Sequence, residues 1–382
     1  MEKYKIGDIC EIVSGSTPKT ENKDYWDGDL KWITPAEINE DSYIITDTVR
    51  KITSLAVKET NLSLFPEGTV ILSSRAPIGK VAIAGCEMYC NQGFKNLICK
   101  NKINNKYLYW FLKGNTAFLQ SLGRGATFKE ISKQIVSNIE INVPDYDRQI
   151  EVATHLEKIN KIIHLRRQEL LKFDDLIKSR FIELFGIENE LDKWPCCTIG
   201  EVADVCVGVV IKPTQYYADK GIPAFRSLNI GKMQVKDNDW VYFTEEGHQK
   251  NQKSIIHKND VLVVRSGAPG TACVATEKYD GYNAIDIIIA HPDSSKVNPV
   301  FLAAFTNMPH GMNQIREKTS GAAQQHFNVG GYKTMCLIMP SMELQNQFAA
   351  FVEQTNKSKS AVQKSLDEAQ LLFDSLMQKY FG

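Results

Sequence analysis

A heptad-like apolar pattern occurs twice in this 382-residue chain and ends both times in Phe-Gly. Its positions in the first copy are Val152, Leu156, Ile159, Ile163, Arg166, Leu170, Phe173, Ile177, Arg180 and Leu184. Adding 196 to each number gives Phe348, Val352, Thr355, Lys359, Val362, Leu366, Ala369, Phe373, Leu376 and Tyr380. Alternating steps of four and three residues predict a long helix whose seam packs against a partner helix. The pattern therefore indicates an internal repeat of one globular part followed by one long helix.

The repeat predicts four segments in an α+β protein. Residues 1–144 and 187–341 are expected to form two similar mixed α/β domains, and residues 145–186 and 342–382 two long helices. Each helix of roughly 40 residues would span about 60 Å if unbroken. The sequence thus predicts a pseudo-two-fold chain, built from two related domains and a coiled coil.

Local motifs in the two globular parts also correspond, with an offset that starts at 193 and reaches 196 at the helices. Residues 199–202 (IGEV) match residues 6–9 (IGDI), and Val261–Arg265 matches Val70–Arg75. The loops differ: residues 14–19 (SGSTPK) become residues 207–212 (VGVVIK). Similar frameworks with different loops suit two related but non-identical recognition tasks.

Composition limits the classes of function. The 45 basic and 45 acidic side chains balance, whereas a general polyanion binder should be more basic. DNA binding would therefore depend on local basic patches or on a more basic partner. Nine cysteines without framework spacing favour free thiols in a reducing cytoplasm, and no apolar stretch resembles a signal peptide or a membrane helix.

No complete catalytic or metal-binding motif is present. Residues 298–301 (NPVF) lack the second proline of the Asn-Pro-Pro-aromatic loop of DNA methyltransferases, and a helix start explains them better. Residues 292–296 (PDSSK) lack the second acid of a common nuclease motif. The seven histidines include no pair four residues apart that would hold a metal. We expect no catalytic residues and no metal site.

Polar residues suited to DNA contact lie in turns that follow predicted strands. Ser14–Thr20 combines hydroxyls with a lysine, as phosphate-contacting loops do. Arg75 and Lys80 flank a strand–turn–strand tip, and Asn91–Lys95 is rich in amides that can pair with adenine. For each of these residues the alternative is an ordinary surface loop with local hydrogen bonds.

Together these features resemble the specificity (S) subunit of a type I restriction–modification system, over essentially the whole chain. The resemblance rests on the repeat and on local signatures. These are SGSTPKT followed by residues 25–32, residues 65–79, Asn91–Phe94, and the helix ends 176–186 and 371–382. The second half departs from the signature at 209–212 and 284–286.

The resemblance implies a non-catalytic, cytoplasmic DNA-binding subunit that acts in DNA methylation and phage defence. Each domain would be a target recognition domain that reads half of a bipartite double-stranded DNA sequence. The long helices would pack antiparallel, set the spacer length and dock two methyltransferase (M) subunits. S-adenosylmethionine would be bound by those partners and no cofactor by this chain, while two restriction/translocase (R) subunits would supply cleavage.

Three alternatives stay open at this stage. The chain could be a coiled-coil interaction scaffold whose domains bind protein, the specificity subunit of a modification-only or other phage-defence system, or a solitary enzyme, which the missing motifs disfavour.

Under this interpretation we expect polar side chains of both halves to contact DNA. In the first half these are Ser16, Thr17, Lys19, Arg75, Lys80, Asn91, Gln92, Lys95, Arg124 and Lys129. In the second half they are Lys212, Arg226, Arg265, Gln324, Gln325, His326 and Asn328.

Overall fold

A computed structural model describes residues 2–124, 129–186, 193–319 and 326–382. The chain folds into two compact units: Met1–Gln168 with Gln363–Gly382, and Glu169–Val362. Each unit therefore combines one α/β core with part of each long helix. In the described part of the chain, no helix is both long and apolar enough to cross a membrane.

The first unit is built on a mixed five-stranded sheet. The strands of the whole unit are β1 (Glu2–Lys5), β2 (Cys10–Ser14), β3 (Trp26–Ile33), β4 (Ile44–Ile45), β5 (Arg50–Ile52), β6 (Val70–Ser73), β7 (Val81–Ala84), β8 (Tyr89–Cys90), β9 (Phe94–Cys99) and β10 (Glu140–Val143). Its helices are α1 (Ile6–Ile9), α2 (Ser54–Glu59), α3 (Asn105–Gly114), α4 (Thr116–Ser121), α5 (Lys133–Ser137) and the first part of α6 (Tyr146–Phe185). The main sheet has the order β2-β9-β6-β7-β4, beside a three-stranded sheet β5-β3-β8 and the pair β1-β10.

The second unit repeats this plan. Its strands are β11 (Cys196–Thr198), β12 (Ala203–Val207), β13 (Tyr217–Ala218), β14 (Ile222–Phe225), β15 (Ile230–Gly231), β16 (Gln234–Val235), β17 (Val241–Phe243), β18 (Val261–Val264), β19 (Ala272–Val274), β20 (Asn283–Ala284), β21 (Ile287–Pro292) and β22 (Cys336–Ile338). Its helices are α7 (Ile199–Val202), α8 (Glu245–Lys250), α9 (Pro299–Asn307), α10 (Pro309–Lys318), α11 (Val329–Lys333) and the first part of α12 (Met342–Phe381). The order β12-β21-β18-β19 matches β2-β9-β6-β7, so the predicted internal repeat of two mixed α/β parts is confirmed.

The central strands are fully buried because apolar residues face both the helices and the neighbouring sheet. All four residues of β6 and all four of β18 are buried. β6 pairs Ser73 with Phe94, and β18 pairs Val264 with Ile287. Ser73 and Val264 therefore occupy equivalent positions at the ends of the central strands.

This register corrects one correspondence expected from the sequence. Ser74 and Arg265, the residues that follow the two strand ends, are equivalent. The carbonyl of Ser74 accepts the N–H of Ile131, just before α5, at 2.9 Å, and that of Arg265 accepts the N–H of Phe327, just before α11, at 3.0 Å. Arg75 therefore corresponds to Ser266, not to Arg265. The match of Arg265 with Arg75 was wrong by one residue because it paired like side chains across strand ends that differ in composition.

The two long helices pack antiparallel within each unit. In the first unit, the guanidinium of Arg148 lies 5.8 Å from the ring centre of Tyr380, and Arg167 donates to Gln370 at 3.4 Å. In the second unit, Asp174 pairs with Lys359 at 2.7 Å. Every predicted seam position of both helices is buried or half-buried, which confirms the heptad interpretation.

Two buried glutamines fix the start of each long helix to its own unit. The Oε1 atom of Gln149 accepts the N–H of Asn104 at 2.7 Å, and its Nε2 donates to the carbonyl oxygens of Lys102 and Pro144. In the second unit, Gln345 accepts from the N–H of the equivalent Asn298 at 2.8 Å. Both asparagines cap the helix that packs on the sheet, α3 or α9. Helix and domain are thus joined by buried hydrogen bonds at equivalent positions.

Candidate nucleic-acid interface

Two tryptophans hold the first predicted recognition loop, Ser14–Thr20. The indole N–H of Trp32 donates to the carbonyl of Ser16 at 3.1 Å, and that of Trp26 donates to the carbonyl of Lys19 at 3.3 Å. Both rings are buried and meet edge to face at 5.1 Å. Arg50, which the sequence reasoning missed, lies with its guanidinium 3.7 Å from the Trp26 ring centre. The aromatic cluster therefore holds the loop through two of its carbonyl groups, while Lys19 is exposed and Ser16 and Thr17 are half-buried.

This loop packs against a second candidate segment, Asn91–Lys95. A Cβ atom at Gly15 would lie 2.0 Å from the carbonyl oxygen of Asn91, so the two backbones meet too closely for any side chain. The Thr17 hydroxyl donates to the Gln92 side chain. Ser16, Thr17, Asn91 and Gln92 therefore form one polar surface, and Gln92 is exposed on it.

Glu130 organises the basic candidates of the first unit. Its carboxylate accepts from Arg75 Nε at 2.9 Å and from Lys95 Nζ at 3.2 Å. Lys95 is only 6% exposed, and its Nζ also contacts the Ser74 hydroxyl at 3.3 Å. Burial opposes ionisation of Glu130, but the hydrogen bonds from Arg75 and Lys95 outweigh it and lower the pKa of this carboxyl. Lys95 is thus a buried partner of Glu130, whereas Arg75 stays exposed.

The other basic candidates of this unit are placed less closely. Arg124 and Glu130 exchange backbone hydrogen bonds of 3.1 Å and 2.9 Å, and the side chains of Arg124 and Lys129 are exposed. Lys80 is half-buried and its Nζ donates to the carbonyl of Pro35 at 2.9 Å. Arg124 and Lys129 therefore adjoin the Arg75–Glu130 pair through the backbone, while Lys80 is engaged with a different loop.

In the second unit Arg265 takes part in a similar pair with a different partner. Its Nη1 lies 2.7 Å from Asp286 Oδ1, and its Nε donates to the carbonyl of Phe327 at 3.3 Å. The Arg265 side chain is 17% exposed. Asp286 adopts a left-handed backbone conformation with φ of 48° in the segment where the two halves of the sequence diverge. Sequence reasoning noted the divergence but missed the role of the acid.

His326 and Asn328 adjoin Arg265. The Ser266 hydroxyl and His326 Nδ1 lie 2.9 Å apart, and the N–H of Phe327 donates to the carbonyl of Arg265 at 3.0 Å. Asn328 caps α11 by accepting from Gly331 N–H at 2.8 Å. The candidates Gln324 and Gln325 lie outside the described residues.

Lys212 and Arg226 occupy other loops. Lys212 is exposed and has φ of 45°, immediately before a proline. The guanidinium of Arg226 donates to the carbonyl of Asp239, and its backbone N–H donates to Asn229 Oδ1 at 2.9 Å. One nitrogen of the Arg226 guanidinium is therefore committed to the fold, whereas Lys212 is exposed.

Both units place an arginine paired with a carboxylate after the central strand, at neighbouring rather than equivalent positions. A carboxylate that holds one edge of the guanidinium restricts its rotamers and leaves N–H donors for an acceptor. Guanine O6 and N7, or a phosphate, present such acceptors. The described residues include no group of three or more histidine, cysteine, aspartate or glutamate side chains suited to a metal ion.

Comparison with known proteins agrees with this architecture. The family described as "Type I restriction modification DNA specificity domain" matches residues 1–172. The specificity subunit of the type I restriction enzyme MjaIX of Methanocaldococcus jannaschii is 28% identical over 98% of this chain and 91% of its own length. The EcoprrI specificity subunit of Escherichia coli is 21% identical over 92% of this chain and 87% of its own length.

Solved structures show the same fold over the whole chain. The type I restriction–modification S subunit from M. genitalium superimposes with a TM-score of 0.63 at 14% identity, covering 100% of this chain and 96% of that one. A chain from a study of complex assembly and conformational transition of the type I system gives a TM-score of 0.58 at 16% identity, covering 100% of this chain and 97% of that one. The first 172 residues thus match the DNA specificity domain of type I restriction–modification systems, and nearly the whole chain is similar to specificity subunits of such systems.

Proposed function

We propose that each unit reads one half of a bipartite DNA target. The observation that carries this proposal is the repeated scaffold with different loops at the same place. Residues 14–19 and 91–95 in the first unit become residues 207–212 and 283–286 in the second, while the strands beneath them keep their order. Two equal scaffolds with unequal loops suit two different base sequences, since base contacts specify and backbone contacts position.

The long helices would set the distance between the two half-sites. Each is continuous over 40 residues and contributes to both units. The buried glutamines at their starts would keep each unit from turning on its helix. A fixed helix length then translates into a fixed number of unread base pairs.

The same helices would dock two methyltransferase subunits. They carry apolar side chains that are exposed: Ile162 46%, Leu165 50%, Leu171 67%, Leu176 47%, Leu371 71% and Leu372 51%. Exposed apolar residues in such number on a helix surface favour a protein partner. These partners would bind S-adenosylmethionine, and R subunits would join in systems that cleave DNA. The neutral net charge of this chain fits a division in which partners supply part of the phosphate contacts.

Within this scheme Arg75 and Arg265 are the strongest candidates for base reading. Each is held by a carboxylate, which positions it before DNA arrives. Lys19, Arg124, Lys129 and Lys212 are exposed and would contact phosphates. The loss of a base-reading arginine should cost about 1–3 kcal/mol and relax one position, whereas the loss of a phosphate contact should weaken all sequences alike.

The test is to coexpress the chain with an active methyltransferase partner from the same operon and to map methylated adenines in host DNA. We expect two short specific blocks separated by a constant run of unspecified bases. Arg75→Ala should relax one block only, and Arg265→Ala the other. Arg316→Ala, which changes an exposed arginine on α10, is the matched control and should leave both blocks intact. Methylation of one continuous motif would refute the proposal. The absence of methylation with a methyltransferase partner that is shown separately to be active would refute it too.

A further inference from the structure

A thiol, an imidazole and a carboxylate lie in line in the second unit. Cys206 Sγ is 3.6 Å from His291 Nε2, and His291 Nδ1 is 2.7 Å from Asp260 Oδ1. The other carboxylate oxygen of Asp260 accepts the backbone N–H of His257 at 2.6 Å. The carboxylate therefore fixes the orientation of the ring and aims its second nitrogen at the sulfur.

The main sheet of the unit builds this arrangement. Cys206 lies on β12, where it pairs with Ile289 of β21, and His291 follows two residues later on the same face of β21. Asp260 immediately precedes β18, the next strand of the sheet. Three neighbouring strands thus hold the three groups, so the arrangement does not depend on a flexible loop.

The three groups differ in exposure. The Asp260 side chain is 4% exposed and that of His291 30%, and Cys206 is half-buried. Hydrogen bonds to Asp260 and Cys206 raise the pKa of His291 to about 10, against the opposing effect of burial. At neutral pH both ring nitrogens therefore carry protons, and the positive ring faces the sulfur.

A second contact acts in the opposite direction. Cys206 Sγ lies 3.1 Å from the carbonyl oxygen of Lys253, which accepts the proton of the neutral thiol. The imidazolium, by contrast, lies 3.6 Å from the sulfur and can stabilise negative charge that develops there as a bond forms.

We propose that Cys206 is a nucleophilic thiol and a modification site for soft electrophiles, such as α-halo amides and peroxides. With an α-halo amide, the sulfur forms a bond to carbon as the carbon–halogen bond breaks and halide leaves. With a peroxide, a sulfur–oxygen bond forms as the oxygen–oxygen bond breaks, and the leaving oxygen takes up a proton to give water or an alcohol. The thiol proton passes to solvent in the first case.

The first unit has no such arrangement. At the positions that correspond to Cys206, Asp260 and His291, its strands carry Val13, Thr69 and Ile98. Modification would therefore act on one unit only. Because β12 leads directly into residues 208–212, an adduct would adjoin the loop that reads the second half-site; this last step alone rests on the proposed function.

The test measures the rate at which each cysteine of the full-length chain is alkylated. Native protein is pulsed with iodoacetamide, quenched, digested and analysed by mass spectrometry. Cys196, which is exposed, serves as the internal reference, and Cys273, which is 0% exposed, reports unfolding. We expect Cys206 to react about tenfold faster than Cys196 despite its lower exposure, because His291 Nε2, 3.6 Å from the sulfur, stabilises the negative charge that the sulfur carries as it attacks.

His291→Gln removes the cation and should reduce the Cys206 rate at least about tenfold, with Cys196 unchanged. Slower reaction of Cys206 than of Cys196 in the wild-type protein would overturn the proposal, and so would an unchanged Cys206 rate in a folded His291→Gln variant. If Cys273 becomes labelled, the variant has unfolded, and the wild-type comparison decides alone. The readout contains no DNA, so its failure is distinct from failure of the proposed function.

Discussion

Replacement of Gln345 by leucine should loosen the junction between the second unit and its long helix. The side chain is 0% exposed, accepts the N–H of Asn298 at 2.8 Å and donates to the carbonyl of Pro340 at 2.9 Å. Leucine fills a similar volume but leaves one donor and one acceptor buried without partners. At about 1–3 kcal/mol for each unsatisfied group, the gross loss is about 2–6 kcal/mol. The apolar side chain returns about 1–2 kcal/mol, which leaves a net loss of about 0–5 kcal/mol with a midpoint of about 2.5 kcal/mol.

Hydrogen exchange is the suitable assay because a chain of two units need not unfold in a single transition. Peptides that cover the start of α9 and the start of α12 should exchange faster by the factor that corresponds to this free energy. Gln354→Leu is the control: it lies on the same helix but is exposed, and it should change local stability by less than about 0.5 kcal/mol. Equal protection in the two variants would show that the glutamine does not fix the junction. Gln149→Leu should show the larger effect, because that side chain makes three such hydrogen bonds.

Three further outcomes follow from single contacts. Because the pKa of Glu130 is lowered in the fold, its ion pairs stabilise the protein at pH values above the ordinary carboxyl range, and this stabilisation is lost as pH falls through the lowered pKa. Glu130→Gln should therefore reduce the loss of melting temperature on the acid side. The same acid dependence in variant and wild type would contradict the pairing. Gly208→Ala should disrupt methylation at the second half-site alone, because its Cβ would lie 2.6 Å from the carbonyl oxygen of Ala284. Gly330→Ala is the control and should be tolerated, since the nearest atom to its Cβ would lie at 3.3 Å. Equal methylation patterns in the two variants would contradict this expectation. Lys359→Met removes one helix–helix ion pair but extends the apolar seam, so the melting temperature should shift by no more than a stability change of about 1 kcal/mol would cause. A larger loss would show that the ion pair is essential.

The elements that were predicted well are those with a strong local period. The two helical seams could be read from spacing alone because burial repeats every three or four residues over ten positions. Even the polar seam residue Lys359 fits, since its stem lies in the seam and its ammonium reaches Asp174. The repeat of strand order followed from short apolar stretches bounded by turn residues.

The acidic partners of the candidate arginines could not be predicted in the same way. Arg75 and Glu130 are 55 residues apart in the chain, and Arg265 and Asp286 are 21 apart. Their contacts depend on how strands and loops meet in three dimensions, for which no local pattern exists. The one-residue shift between Arg75 and Arg265 has the same origin, because strand register is set by pairing and not by side-chain identity. Whether the candidate residues contact DNA stays a prediction.

The first unit is built from two separate segments of the chain, and this affects the order in which the units can fold during synthesis. Phe373 packs on Trp110, and Phe381 packs on Tyr107 and Phe111, so residues from 363 onward cover an aromatic face of the first core. The ribosome makes that cover only after it has made the whole of the second unit. During translation the aromatic face of the first unit therefore stays exposed until residues 363–382 are made, by which time all residues of the second unit are present. A chain cut before residue 363 should consequently lose the unit at its beginning and keep the unit nearest the cut.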